Sequence, residues 1–70
     1  MAVRYNKLFN MLKHKKITTS ELMSRAGFSA NIITRLKRNQ YISMDSIEKI
    51  CVALHCGVDD ILDFVEVKEN

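Results

Sequence analysis

Asparagine and arginine can each grip a nucleobase edge with two hydrogen bonds, Asn on adenine and Arg on guanine. The chain carries Asn31 and Arg35 four residues apart, a separation that puts both on one face of a helix. Directly after them come Lys37, Arg38, Asn39, Gln40, Tyr41 and Ser43, a run of cationic, amide and hydroxyl donors of the kind that contact phosphate oxygens. Other chemistries find little support. No nucleophile–base pair, paired carboxylates or glycine-rich phosphate loop is present, so an enzyme is not expected. Cys51 and Cys56 are too few for a disulfide framework. Their spacing matches no common zinc pattern, and His14 and His55 are far apart in sequence, so no metal and no cofactor is expected. The thiols read as packing residues, Cys51 in the core and Cys56 near a helix end.

Charge sharpens this reading. Residues 1–43 hold nine Lys and Arg against Glu21 alone, a net of +8, while residues 44–70 hold Lys49 and Lys68 against seven carboxylates, a net of −5. A basic half beside an acidic half is the pattern of a domain with one nucleic-acid face. Seventy residues make one domain, 1–70, of marginal stability. No run of eighteen apolar residues offers a membrane span. The N-terminus lacks the apolar stretch of a signal peptide, and the cytoplasm is the expected location.

The elements that must position these residues read as helices. There is no proline, and Gly27 and Gly57 are the only glycines, so the chain is expected to form helices joined by short turns. A first helix over about 5–15 takes Tyr5, Leu8, Phe9 and Leu12 as its apolar face. A second begins at Thr18, where Thr18-Thr19-Ser20-Glu21 is a capping box. Leu22, Met23 and Ala26 point inward, and Gly27 ends this helix. A third is capped by Ser29 and runs to about Arg38, with Ile33 and Leu36 buried. A fourth is capped by Ser43 and spans about 44–55, with Ile47, Ile50, Cys51 and Leu54 as its stripe. A fifth is expected after Gly57, with Asp59 and Asp60 at the positive end of its dipole and Ile61 and Leu62 facing the core. Phe64-Val65-Glu66-Val67 alone hints at strand alternation. An acidic tail covers about 63–70.

From about 18 to 38 the pattern is a helix, a glycine turn and a second helix, the helix-turn-helix arrangement. Counted from Thr19, the positions that two steeply crossing helices must bury hold Leu22, Ala26, Phe28, Ile33 and Leu36, and the ninth is Gly27. With Ile17-Thr18-Thr19-Ser20-Glu21-Leu22, Ala26-Gly27-Phe28-Ser29, Ile33-Thr34-Arg35-Leu36, Ile42-Ser43-Met44-Asp45-Ser46-Ile47 and Asp60-Ile61-Leu62, the chain from about 5 to 65 resembles the Cro and lambda-repressor-like (XRE) helix-turn-helix regulators, especially their small stand-alone members. Two positions depart from the family pattern. Met23 stands where alanine is usual, which is expected to shift the helix crossing. Lys37 stands where an acid often pairs with an Arg on the first helix, and here that helix offers Leu12 instead.

The resemblance implies an all-α, compact five-helix lambda-repressor-like domain whose second and third helices form the motif. It implies a bacterial or phage-encoded regulator, expected to be a repressor, that binds double-stranded DNA with its third helix in the major groove. By matching positions, Ala30, Asn31, Thr34 and Arg35 face the bases, and Ile32 is a weaker candidate. Thr18, Thr19, Lys37, Arg38, Asn39, Gln40, Tyr41 and Ser43 face phosphates, with Lys15 and Lys16 as weaker candidates. Paired half-sites imply a homodimer, for which Leu62, Phe64, Val65 and Val67 offer apolar surface. The competing reading is an antitoxin or co-regulator acting through protein contacts of the tail, 63–70. RNA is a weaker partner, because its deep, narrow major groove does not admit a helix.

Overall fold

The computed structural model describes residues 1–67. Its helices are α1 (Asn6–Lys15), α2 (Thr19–Ala26), α3 (Ala30–Lys37) and α4 (Met44–Leu54). Two short strands, β1 (Ala2–Arg4) and β2 (Asp63–Val65), pair antiparallel with Ala2 opposite Val65, Val3 opposite Phe64 and Arg4 opposite Asp63. The ribbon therefore joins the two ends of the described chain.

Two expectations are corrected. The domain is not all-α, and there is no fifth α-helix among the described residues. After Gly57 the chain makes a single 3-10 turn, Val58–Asp60, before entering β2. The reason is local. The Asp60 carboxylate accepts from the Gly57 N–H at 3.0 Å, closing a tight turn that delivers Ile61 to the core. The next residues then find a strand partner in β1. Two or three turns of helix would be marginal in isolation, and the ribbon satisfies the backbone instead. The acidic tail belongs partly to this ribbon, and residues 68–70 lie outside the described chain.

The four helices otherwise follow their caps. Thr18 accepts from the Glu21 N–H at 3.1 Å, and Glu21 accepts from the Thr18 N–H at 3.4 Å, the reciprocal pair that the sequence pattern predicts. Ser43 caps α4 by accepting from Ser46 N–H at 3.1 Å. Gly27 takes the left-handed conformation (φ 76°) and donates its N–H to Met23 C=O at 2.8 Å. A β-carbon would be strained there. Tyr5 precedes α1 rather than opening it.

One core serves all elements. Val3, Tyr5, Leu8, Leu12, Leu22, Ile33, Leu36, Ile47, Ile50, Leu54 and Ile61 are buried, and Met23, Phe28, Cys51 and Leu62 pack against them half-exposed. The start of α1 is anchored to the far end of the chain, where Leu8 N–H donates to Ile61 C=O at 3.1 Å and Lys7 Nζ donates to Asp59 C=O at 3.1 Å. With α1 fixed this way, α2 packs on both α3 and α4, and one face of α3 is left outside.

Candidate nucleic-acid interface

Helix α3 is amphipathic in the sense a reading helix requires. Ile33 and Leu36 are buried beneath it, while Ala30, Asn31, Thr34 and Arg35 are exposed. No side-chain hydrogen bond or ion pair engages Asn31 or Arg35 among the described residues. Thr34 donates its hydroxyl to Ala30 C=O at 3.2 Å, which leaves its oxygen as an acceptor. Ile32 is half-buried against the core, so it serves packing first.

Ser29 was expected to cap α3 with its hydroxyl. It occupies the N-cap position in extended geometry, but its side chain makes no capping bond. An exposed hydroxyl therefore stands at the N-terminus of the helix, where amide donors and the dipole attract anions. Reading it as a cap left it out of the candidates.

The other end of α3 is tied down. Asn39 adopts a left-handed conformation (φ 54°), which asparagine tolerates better than most residues. Its Oδ1 accepts from the Tyr5 backbone N–H at 3.1 Å. The Tyr5 phenol donates to the Gln40 C=O at 2.8 Å. Burial pushes the Tyr5 phenol pKa up, and Tyr41 adds to this while a backbone hydrogen bond from Ile42 opposes it. Tyr5 therefore stays a neutral donor, holding the loop 39–41 against the core.

The phosphate candidates divide accordingly. Lys37 and Arg38 are exposed and pair with no carboxylate among the described residues. Leu12, in place of a possible Arg partner, is buried. Tyr41 is exposed, and the side-chain amide nitrogens of Asn39 and Gln40 donate to no protein atom among the described residues. Thr18 and Ser43 are already committed as caps; the Thr18 hydroxyl also donates to Glu21 Oε1 at 3.3 Å, and Ser43 donates to Ser46 Oγ at 3.0 Å. Thr19 is half-exposed, and Lys15 and Lys16 are exposed at the end of α1. On the acidic side Asp45 holds Lys49 at 3.4 Å. Glu21 lies 3.8 Å from Arg25, so the basic half's lone acid is turned toward a cation.

The dimer candidates also divide. Phe64 and Val67 are both 55% exposed, whereas Val65 and Leu62 are half-buried and Leu62 packs on the core. No group of three or more potential metal ligands clusters among the described residues. No described helix is long and apolar enough to cross a membrane.

Comparison with known proteins agrees with this geometry. The family model of the Cro/C1-type HTH DNA-binding domain matches residues 7–66. The fold is similar to the crystal structure of the transcriptional regulator VanUg, with a TM-score of 0.84 and 31% sequence identity over 89% of this chain and 83% of that one. No curated protein sequence matches.

Proposed function

The chain belongs to the Cro/C1-type helix-turn-helix DNA-binding family, and from that membership we propose that it is a sequence-specific transcriptional regulator, acting as a repressor in the cytoplasm, that reads the major groove of double-stranded DNA with α3. The observation that carries this reading is the division of α3. Its inner residues Ile33 and Leu36 are buried, while Asn31, Thr34 and Arg35 stand exposed, and no partner within the described chain engages Asn31 or Arg35. Asn31 reads adenine and Arg35 guanine, Thr34 accepts through its oxygen, and Ala30 touches a thymine methyl. Lys37, Arg38, Tyr41 and the amides of Asn39 and Gln40 hold phosphate at the far end, and Ser29 does so at the near end. Thr19, at the amino end of α2, also faces phosphate; Thr18 and Ser43 contribute through the helix ends they cap.

Reading by one helix covers few base pairs, so the active species is a homodimer on half-sites about one helical turn apart. Phe64 and Val67 supply the exposed apolar contact, with Val65 and Leu62 behind them. Selection of sites from random duplexes, followed by titration of the selected and a scrambled duplex, tests the reading. Equal affinity for both would overturn it. Sedimentation with and without the selected site tests the dimer, and a 1:1 complex on a full palindrome would rule it out.

A further inference from the structure

The C-terminal end of α4 holds two thiols against each other. His55 is left-handed (φ 54°, ψ 52°). Cys56 N–H donates to Cys51 C=O at 3.0 Å, and His55 N–H donates to Val52 C=O at 3.4 Å. These two bonds define a Schellman motif, whose geometry sets the side chain just beyond the cap against the one at the start of the last turn. That contact is ordinarily between two hydrophobic residues, and here both positions are cysteine.

The same hydrogen bond limits the backbone separation. With standard bond lengths and the fixed angle at the carbonyl carbon, the 3.0 Å contact puts the two Cα atoms at most about 6.9 Å apart even when otherwise fully stretched. A bent arrangement is shorter, and disulfides span Cα separations of roughly 4.4–6.8 Å. Both thiols are free and half-exposed, and both line one open cleft with Met44, Ile47, Gly57 and Val58. Small reagents therefore have access to the pair.

We propose that Cys51 and Cys56 form a redox site that closes to an intramolecular disulfide by exchange with small-molecule disulfides. One thiolate attacks a sulfur of the small disulfide, forming a mixed disulfide and expelling one small thiolate. The second protein thiolate then attacks the protein sulfur of that mixed disulfide and expels the other. The protein loses two electrons and two protons, and the small disulfide becomes two thiols. Burial, the Cys51 thiol and Asp60 push the Cys56 thiol up, against a weaker pull from Lys15. The opening attack is therefore slow at Cys56, and ring closure depends on proximity. Closure would clamp the end of α4, from which the chain turns to Ile61 and β2.

The test is titration of the folded protein with oxidised glutathione, read by intact mass and thiol alkylation. The expected product is a monomer two hydrogens lighter, with no glutathione attached and neither cysteine alkylated. Its melting temperature should exceed that of the reduced protein. Cys51→Ser and Cys56→Ser should each stop at a stable glutathione adduct or a covalent dimer, with Cys56→Ala as a second variant if serine disturbs the packing. A wild-type protein that accumulates the mixed disulfide, or links to a second chain instead of closing, would overturn the proposal.

Discussion

The outer face of α3 and the loop at its exit are built on opposite principles. Along its outer face, the side chains of Asn31 and Arg35 are exposed and engaged by no other side chain within the described chain. At its exit, the side-chain oxygen of Asn39 and the backbone carbonyl of Gln40 accept from buried Tyr5, two hydrogen bonds across more than thirty residues of sequence. On the proposed reading, the difference teaches how one small helix would discriminate and grip at once. Groups that choose among bases must be free to lose their water to a matched partner. A loop that holds phosphate gains from being ordered before binding, since ordering it on binding would cost affinity. The contrast is testable by removing what face and exit share, then what each has alone.

The largest effect should come from Leu36→Ala. Leu36 is fully buried beneath α3, and such truncations cost about 2–5 kcal/mol. In a seventy-residue domain that is on the order of the whole stability. Urea unfolding should show it, and binding to every duplex should fall with the folded fraction. Loss of binding with unchanged stability would mean that α3 is not held by its core.

Next come Arg35→Ala and Asn31→Ala. Each should cost roughly 1–3 kcal/mol on the preferred duplex, the usual worth of a bidentate base contact. Each should cost far less on scrambled DNA, where no matched base waits. Stability should hardly move, because both side chains are exposed.

Tyr5→Phe is expected to do the reverse. The ring keeps its place and the loop loses one hydrogen bond, for about 0.5–1.5 kcal/mol of stability. Affinity for selected and scrambled duplexes should fall in parallel. The pH dependence identifies the group. Because the phenol pKa is raised in the fold, its contribution is complete below the ordinary tyrosine value of 10.0 and is lost as pH climbs above that value through the raised one. Alkaline titration of stability should show this loss in the wild type and its reduction in Tyr5→Phe. A selective loss on the preferred duplex would mean that the tie shapes reading and not grip.

The free face was more legible in the sequence than the tied exit. The shared face of Asn31 and Arg35 follows from helical spacing, Thr34 came only with the family resemblance, and Thr18-Glu21, Gly27 and Ser43 mark the helix boundaries through local chemistry that the fold retains. Ser29 shows the limit of that logic, since its position was right and its capping bond does not form. The ribbon was missed because Ala2–Arg4 is three residues long. Such a run carries no period, and its partner lies at the other end of the described chain. Asp59, Asp60, Ile61 and Leu62 suggested a helix for want of that partner. Tyr5 was assigned to the apolar face of α1 by spacing alone. Its burial was legible, but the hydroxyl's destination thirty-five residues away was not.

The smallest effect, and the sharpest test of the contrast, belongs to Lys37 and Arg38. Both are exposed where α3 ends, and neither pairs with a carboxylate among the described residues. Their charge is therefore available to phosphate without first breaking an internal bond. Each phosphate neutralised releases condensed counterions, so a lost contact lowers affinity mainly at low salt and flattens the dependence on salt. Lys37→Ala and Arg38→Ala should each weaken binding to selected and scrambled duplexes together and reduce the salt slope by about one. Stability should stay within about 0.5 kcal/mol of wild type, as for most surface substitutions. Titration of each variant against both duplexes at several salt concentrations separates this behaviour from that of Arg35→Ala. Arg35 should change the ratio between the duplexes, whereas Lys37 and Arg38 should change the slope and leave the ratio alone. If Arg35→Ala and Lys37→Ala lowered both affinities equally, Arg35 would be a backbone contact, and α3 would lie in the groove in a different register from the one its exposed face suggests.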